Sequence, residues 1–314
     1  MTTRPASLDT FLGQKRLVDN LRVILGGAKF RHEPAPHMLF VGAPGLGKTS
    51  IASLIATEMG TKMVPLFAPL LAAESDLASV LMGVEEGDVV FIDEIHALPR
   101  KVEELLYTAL EDFYLDVVVG PKNAAKTFRI ELPRFTLVGA TTLPGGITGP
   151  LRDRFGFTGK LEFYSVEDLC QIIKDHACSD NFGGTLDALR YLALASRGTP
   201  RIAIRLYERA RDILQSDGKR SLDIPTAHEA LRLADVDGRG LDATDRKILR
   251  TLGQAGQGVP VGLATLAATI GEDASTIERV SEPYLLRLGF IGKGPSGRFL
   301  TFDGLLHLEF TAQA

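Results

Sequence analysis

Lys48 and Thr49 stand next to the end of the run G-A-P-G-L-G-K-T-S, Gly42 to Ser50. Gly, four residues, Gly, Lys, Ser/Thr is the spacing of a phosphate-binding loop. Gly45 and Gly47 allow the backbone to turn its N–H groups inward around a phosphate chain. Lys48 can reach the β- and γ-phosphates of a nucleoside triphosphate, and the Thr49 hydroxyl suits Mg²⁺. Further along, V-V-F-I-D-E ends an apolar run in two acids, Asp93 and Glu94. Asp93 is placed to support the Mg²⁺ shell and Glu94 to activate an attacking water. Acids that are merely solvated at a strand end would read the same way, and the loop upstream argues against that. Gly139-Ala-Thr-Thr142 ends a further apolar run with hydroxyls suited to sensing a γ-phosphate. Thr141 is the better candidate, although a β-branched strand end would look similar.

Phosphoryl transfer also needs positive charge on the developing transition state, beyond one lysine and a metal. Two arginine settings qualify: P-L-R-D-R-F-G, Pro150 to Gly156, and R-G-T-P-R, Arg197 to Arg201. Either alone is as readily a solvated arginine. Their joint occurrence in this order raises both.

These residues need a scaffold that brings loop and strand ends together. Apolar runs at Met38–Val41, Met63–Leu66, Val89–Ile92 and Phe135–Ala140 alternate with helical patterns from about residue 20 to 165. That alternation predicts a parallel α/β sheet with helices on both faces and ligand at the carboxyl ends of the strands. Ile51, Leu54, Ile55 and Met59 recur at helical spacing directly after the loop, as a phosphate at a helix N-terminus requires. From Ser165 to about Val236 helical patterns dominate, and Asp235-Val-Asp-Gly-Arg-Gly240 reads as a linker. Beyond it, helical patterns start near Asp242, Leu263 and Ala274, and Gly289–Thr301 reads as two short strands around K-G-P-S-G-R. Three helices and such a wing describe a winged-helix module. The expected domains are 1–162, 163–236 and 237–314.

The chain has 314 residues, 45% hydrophobic and 24% charged, with a formal net charge of −4. This is ordinary for a globular protein with a large core and gives no global bias toward nucleic acid, so any DNA contact must come from a local basic patch. No apolar stretch approaches a membrane span, and Cys170 and Cys178 read as incidental free thiols. A cytoplasmic protein without membrane contact is expected.

The ordered set G-A-P-G-L-G-K-T, F-I-D-E-I-H, G-A-T-T, P-L-R-D-R-F-G and R-G-T-P-R-I-A resembles the RuvB family of Holliday-junction branch-migration motors, which are AAA+ ATPases. The likeness extends to R-P-x-x-L-D-x-F-L-G-Q at Arg4–Gln14 and E-P-Y-L-L-R-L-G-F at Glu282–Phe290, and so covers nearly the whole chain. The resemblance implies an AAA+ P-loop domain, an all-α lid and a winged-helix domain. It makes Gly45, Gly47, Lys48, Thr49, Ser50, Asp93 and Glu94 residues of a Mg²⁺-ATP site. Arg154 looks like the finger that completes a neighbouring subunit's site, and Arg201 like the arginine that reports nucleotide state to the lid. Thr3, Arg4, Tyr164 and Glu111-Asp112-Phe113 match positions around the nucleotide. A finger acting in trans implies a homo-oligomeric ring, typically a hexamer around DNA, either duplex or four-way junction. A hairpin at Asp116–Glu131 would dock a RuvA-like junction-binding protein through Phe128 and Ile130.

The departures from the family pattern lie mostly at the rim of the sheet and in the wing. Position 43 is Ala where the family usually has Pro, Ser50 replaces Thr, and Leu143-Pro144-Gly145 follows G-A-T-T in place of R-A-G. Phe67-Ala-Pro69 stands for S-G-P. The wing reads K-G-P-S-G-R instead of R-T-P-R-G-R, leaving Lys293 and Arg298 as the expected phosphate contacts, and Ala274 takes the place of another DNA-contacting arginine. The leading expectation is an ATP-driven junction translocase. The alternatives are an ATPase that loads or remodels a protein partner on DNA, and a nucleotide-switched DNA-binding regulator.

Overall fold

The structure is a computed structural model that describes residues 5–119 and 126–312. Thr3, Arg4 and the centre of the expected hairpin lie outside the described residues. By compactness the chain divides into two units, Met1–Ile172 with Thr199–Arg201, and Ile173–Gly198 with Ile202–Ala314.

In the first unit α1 (Lys15–Arg31) leads to β1 (Met38–Val41), α2 (Lys48–Met59), β2 (Met63–Phe67), α3 (Glu74–Leu81), β3 (Val89–Asp93) and α4 (Arg100–Glu111). A hairpin of β4 (Tyr114–Val119) and β5 (Lys126–Glu131) follows, then β6 (Thr136–Thr141), α5 (Gly149–Asp153) and β7 (Phe157–Lys160). The sheet is parallel, in the order β2-β3-β6-β1-β7. All of the expected strands form. β7 joins them unannounced, because F-T-G-K is short, mostly polar and paired on one side only. Pro65 interrupts β2 without harm, since β2 is the opposite edge and has no ladder to feed on its outer side.

The inner strands are nearly continuous apolar runs because helices cover both faces. Leu39, Val90, Ile92 and Leu137 pack in one cluster with Leu77, Leu81, Val102 and Leu106 of α3 and α4. Leu21 of α1 and Ile51 and Ile55 of α2 are equally buried. Each such side chain contributes about 1.5–3 kcal/mol on burial. Register brings the strand ends level: Val41 lies opposite Thr141, and Ile92 opposite Gly139, so the loop after β1, the acids after β3 and the threonines ending β6 share one rim.

α6 (Val166–Ser179) is followed in the second unit by α7 (Leu186–Ala195), α8 (Pro200–Ser216) and α9 (Ile224–Leu233), with a two-residue bridge between β8 (Gly183–Gly184) and β9 (Ser221–Leu222). α10 (Ala243–Ala255) starts where the sequence places it: the Asp242 side chain accepts from the Asp245 amide at 3.0 Å and Asp245 returns the bond to the Asp242 amide at 3.2 Å. α11 (Leu263–Ile270), α12 (Ala274–Thr276), a π turn at Ile277–Ser281 and α13 (Glu282–Arg287) lead to an antiparallel wing, β10 (Ile291–Gly294) and β11 (Gly297–Leu300). A closing helix, α14 (Phe302–Ala312), adds to the expected module, and its His307 stacks on Phe290 at 4.7 Å. Among the described residues no helix is long and apolar enough to cross a membrane.

Candidate nucleotide site

The turn from β1 into α2 is built by residues with left-handed backbone: φ is +79° at Gly45 and +103° at Gly47. A Cβ on Gly45 would stand 2.9 Å from both Thr199 and Arg201, and one on Gly47 would meet Phe11 at 3.3 Å and the Tyr164 hydroxyl at 3.6 Å. The loop is therefore closed in by Tyr164 and Arg201, two of the expected nucleotide neighbours, together with Phe11 and Thr199. Tyr164 is buried and donates to the Leu46 carbonyl at 3.2 Å, and burial pushes its phenol well above the ordinary tyrosine range. Arg201 opens α8 and is exposed.

Lys48 is the first residue of α2 and only 7% exposed. Its ammonium donates to the carbonyls of Gly42 at 2.7 Å and Ala43 at 3.1 Å. Burial holds its pKa below the ordinary lysine value, while the charges of Glu94 and then Asp93 work the other way. A buried cation facing two carboxylates, in a loop shaped by two left-handed glycines, is a donor set that fits a metal-bound triphosphate. Thr49 and Ser50 follow on α2, half-buried.

Asp93 ends β3 and its Oδ1 accepts from the Glu94 amide at 3.0 Å. Glu94 has φ +50°, a left-handed conformation that a non-glycine residue holds only under constraint from its surroundings. The constraint is visible. Glu94 Oε2 accepts from the Thr142 hydroxyl at 2.9 Å and lies 3.2 Å from His96 Nδ1. Thr141 is fully buried, and its hydroxyl meets His96 Nδ1 at 2.9 Å and accepts from the Leu143 amide at 3.0 Å. The sequence favours Thr141 of the threonine pair. The structure puts the Thr142 hydroxyl, not that of Thr141, on the Glu94 carboxylate. His96 went unassigned, although it stands in the F-I-D-E-I-H run; its signal was a polar ring just beyond the acids.

Arg154 is brought to a different place. It follows α5, donates to the carbonyls of Pro150 at 2.7 Å and Tyr107 at 3.4 Å, ion-pairs with Glu111 at 3.0 Å and lies 4.5 Å over the Tyr107 ring. Glu111 ends α4, Asp112 caps it, and Phe113 turns inward with φ +53° to meet the Phe135 ring edge-on at 5.8 Å. Glu111 and Arg154 thus form one group, whereas Phe113 belongs to the core.

In the hairpin, Phe128 is 52% exposed and lies opposite Val117, whereas Ile130 is half-buried opposite Leu115. In the wing, Lys293 is exposed but ion-pairs with Glu282 at 2.6 Å and Glu278 at 3.3 Å. Arg298, expected as a phosphate contact, is 8% exposed with its Nε on Glu282 at 2.7 Å. Burial works to raise the Glu282 carboxyl, and the bonds from Lys293 and Arg298 outweigh it, leaving the group below its usual range. The guanidinium of Arg298 is thus an internal anchor of the wing.

Comparison with known proteins places these features together. Three family models match: the Holliday junction DNA helicase RuvB P-loop domain over residues 3–161, the RuvB AAA lid domain over 164–237 and the RuvB C-terminal winged helix domain over 238–309. Proteins named Holliday junction branch migration complex subunit RuvB from Rubrobacter xylanophilus and Corynebacterium aurimucosum are each 47% identical over 309 residues. The match takes in 98% of this chain and 87% and 86% of theirs. A point variant of Thermotoga maritima RuvB superposes with a TM-score of 0.86 at 43% identity, covering 98% of this chain and 99% of that one. The Thermotoga maritima RuvB Holliday junction branch migration motor does so with a TM-score of 0.84 at 42% identity, covering 98% of both.

Proposed function

The chain belongs to the RuvB family, with an AAA+ P-loop domain, a lid and a winged helix, and from that premise we propose that it is an ATP-driven motor for branch migration of Holliday junctions in recombination and repair. The observation that carries the reading is Lys48, buried and facing Glu94 and Asp93 on the rim of one parallel sheet, in a chain that ends in a winged helix.

In this reading the amides around Gly45 and Gly47, with Lys48, hold the phosphates, and Thr49 with Asp93 holds Mg²⁺ while Ser50 lines the same turn. Mg²⁺, when bound, neutralises phosphate charge as the terminal bond breaks. Glu94 takes the proton of the attacking water. Thr3, Arg4 and Tyr164 surround the nucleoside, Thr141 holds the end of β6, and Arg201 reports the phosphate state to the lid. Arg154, carried with Glu111 and Asp112 on the α4–α5 side, reaches a neighbouring subunit's nucleotide. A finger used that way requires a ring, which we take to be a hexamer encircling DNA. The domains are 1–162, 163–236 and 237–314; the family models that change at 161–164 and 237–238 support these limits. Phe128, exposed on the hairpin, is the contact for a RuvA-like partner, with Ile130 beside it. Lys293 is the wing's phosphate contact, and the cytoplasm is the working compartment.

The wing favours a second reading. Glu278 and Glu282 neutralise both of its cations, which suits an ATPase that remodels a protein partner on DNA with a light grip on the duplex. One experiment separates the two. ATP hydrolysis is measured alone, with four-way-junction DNA and with junction plus a RuvA-type partner, while junction dissociation is followed. Turnover stimulated by the junction and coupled to dissociation is expected. Robust turnover with no junction movement under any condition would sink the motor reading.

A further inference from the structure

Glu94 stands one residue past β3 on a left-handed backbone, so its carboxylate is aimed by its neighbours rather than by a strand. Those neighbours grip one oxygen. Oε2 takes the Thr142 hydroxyl at 2.9 Å, the Thr142 amide at 3.4 Å and lies 3.2 Å from His96 Nδ1. Oε1 takes no hydrogen bond from any described residue. The His96 ring is held in turn: Nδ1 is 2.9 Å from the hydroxyl of fully buried Thr141, which the Leu143 amide fixes at 3.0 Å.

Nδ1 thus stands between Glu94 Oε2 and Thr141 Oγ1, and its hydrogen bond is the one to Thr141. We propose that His96 is a positioning residue for Glu94: its ring, held through Nδ1 on Thr141 at the end of β6, stands against Oε2 and fixes it so that Oε1 faces the reacting water. The proposal rests on the reading of Glu94 as the base of an ATPase. Orientation of this kind is worth a large factor, since a misplacement of about 1 Å costs about a hundredfold in rate.

The test uses the full chain with Mg²⁺-ATP and junction DNA. His96→Ala is expected to lower kcat about ten- to a hundredfold, with KM and the affinity for a fluorescent ATP analogue unchanged within about twofold. His96→Asn returns a hydrogen-bonding amide at the place of Nδ1 and restores most of the rate. His96→Gln, whose amide falls nearer the place of Nε2, stays as slow as His96→Ala. In single-turnover assays His96→Ala/Glu94→Gln is no slower than Glu94→Gln, because the histidine acts through that carboxylate. Without nucleotide, the side-chain ¹⁵N NMR signal of His96 Nδ1 shifts in Glu94→Gln. A wild-type kcat in His96→Ala, equal rescue by Asn and Gln, an additive double variant, or a His96 signal indifferent to Glu94→Gln would each overturn the assignment. A wild-type chain with no turnover at all would instead overturn the ATPase reading beneath it.

Discussion

Arg154 and Glu111 face each other at 3.0 Å, with the guanidinium laid over the Tyr107 ring at 4.5 Å. The arginine is preorganised within its own chain, since Pro150 and Tyr107 supply carbonyl acceptors and Glu111 a charge. Its removal deletes no contact to Lys48, Asp93 or Glu94. Arg154→Ala should therefore keep nucleotide affinity within about threefold and lower kcat by about 10³. Mixing it with Glu94→Gln subunits should restore part of the activity, because each variant then supplies what the other lacks. Turnover and fluorescent-nucleotide binding on the same preparations check this, and a wild-type rate in Arg154→Ala would place the finger elsewhere.

Lys48 carries the opposite expectation for stability. Its ammonium is buried, and desolvation dominates its shift. A buried cation is weak evidence of stabilisation. Lys48→Met, which keeps the stem's volume, should leave the Tm of the nucleotide-free protein within about 3 °C. It should also abolish the rise in Tm that ATP gives the wild type, a rise expected by mass action. Thermal melts with and without nucleotide decide the matter.

Gly45 tests the shape of the loop. An alanine there would combine φ +79° with a Cβ 2.9 Å from Thr199 and Arg201. The left-handed backbone alone costs about 1–2 kcal/mol. Gly45→Ala should lose at least tenfold in nucleotide affinity while Gly60→Ala, at φ +74° with open space around it, loses stability only.

Much of this was legible in the chain itself. The phosphate loop, the acids after β3 and the strand runs announce themselves because their residues must be what they are: glycines where φ is positive, apolar residues where helices cover both faces. The Asp242/Asp245 capping pair marks the start of α10 for the same reason. What escaped notice depends on side chains meeting across elements. β7 is a short edge strand with few apolar residues, and α14 follows the wing without a linker. The alliance of His96 with Glu94 is set by the ring's geometry beyond a left-handed residue, which no spacing reveals. Arg298 is expected as a phosphate contact because nothing in K-G-P-S-G-R says that it points inward. A signal was present nonetheless: Glu278 and Glu282 are four apart on a helical stretch, so they share the face that meets the wing.

Acid stability provides a further check. His37 is held neutral in the first unit, with Nε2 on the Leu110 carbonyl at 3.1 Å and Nδ1 accepting from the Leu137 amide at 2.9 Å. Burial lowers its pKa, and the Leu110 bond only partly opposes this. Below about pH 6.5, the ordinary histidine value, the unfolded chain takes up a proton that the folded chain resists. Stability present above that pH is therefore lost as pH falls. The urea midpoint should decline from pH 7 to pH 5.5 in wild type and decline less in a His37→Gln variant. Equal slopes would mean that other groups set the acid limit.

The wing separates an anchor from a contact. Arg298 and Glu282 are both buried and paired at 2.7 Å, whereas Lys293 has a side chain 43% exposed. Breaking a buried pair by removing one partner strands the other charge and costs about 3–5 kcal/mol, while replacing both by apolar residues of similar volume is often neutral. Arg298→Ala should therefore destabilise the winged helix, and Arg298→Met/Glu282→Leu should restore it. Acid should mimic the single substitution. The Glu282 carboxyl is held below its usual range, so its stabilisation is present above the ordinary glutamate pKa and disappears as pH falls beneath it. Lys293→Ala should barely move the melting temperature but weaken DNA binding and lower the salt slope by about 0.9, the share of one phosphate. Chemical denaturation and DNA binding across salt concentrations check both. A stable Arg298→Ala with a reduced salt slope would return Arg298 to the DNA.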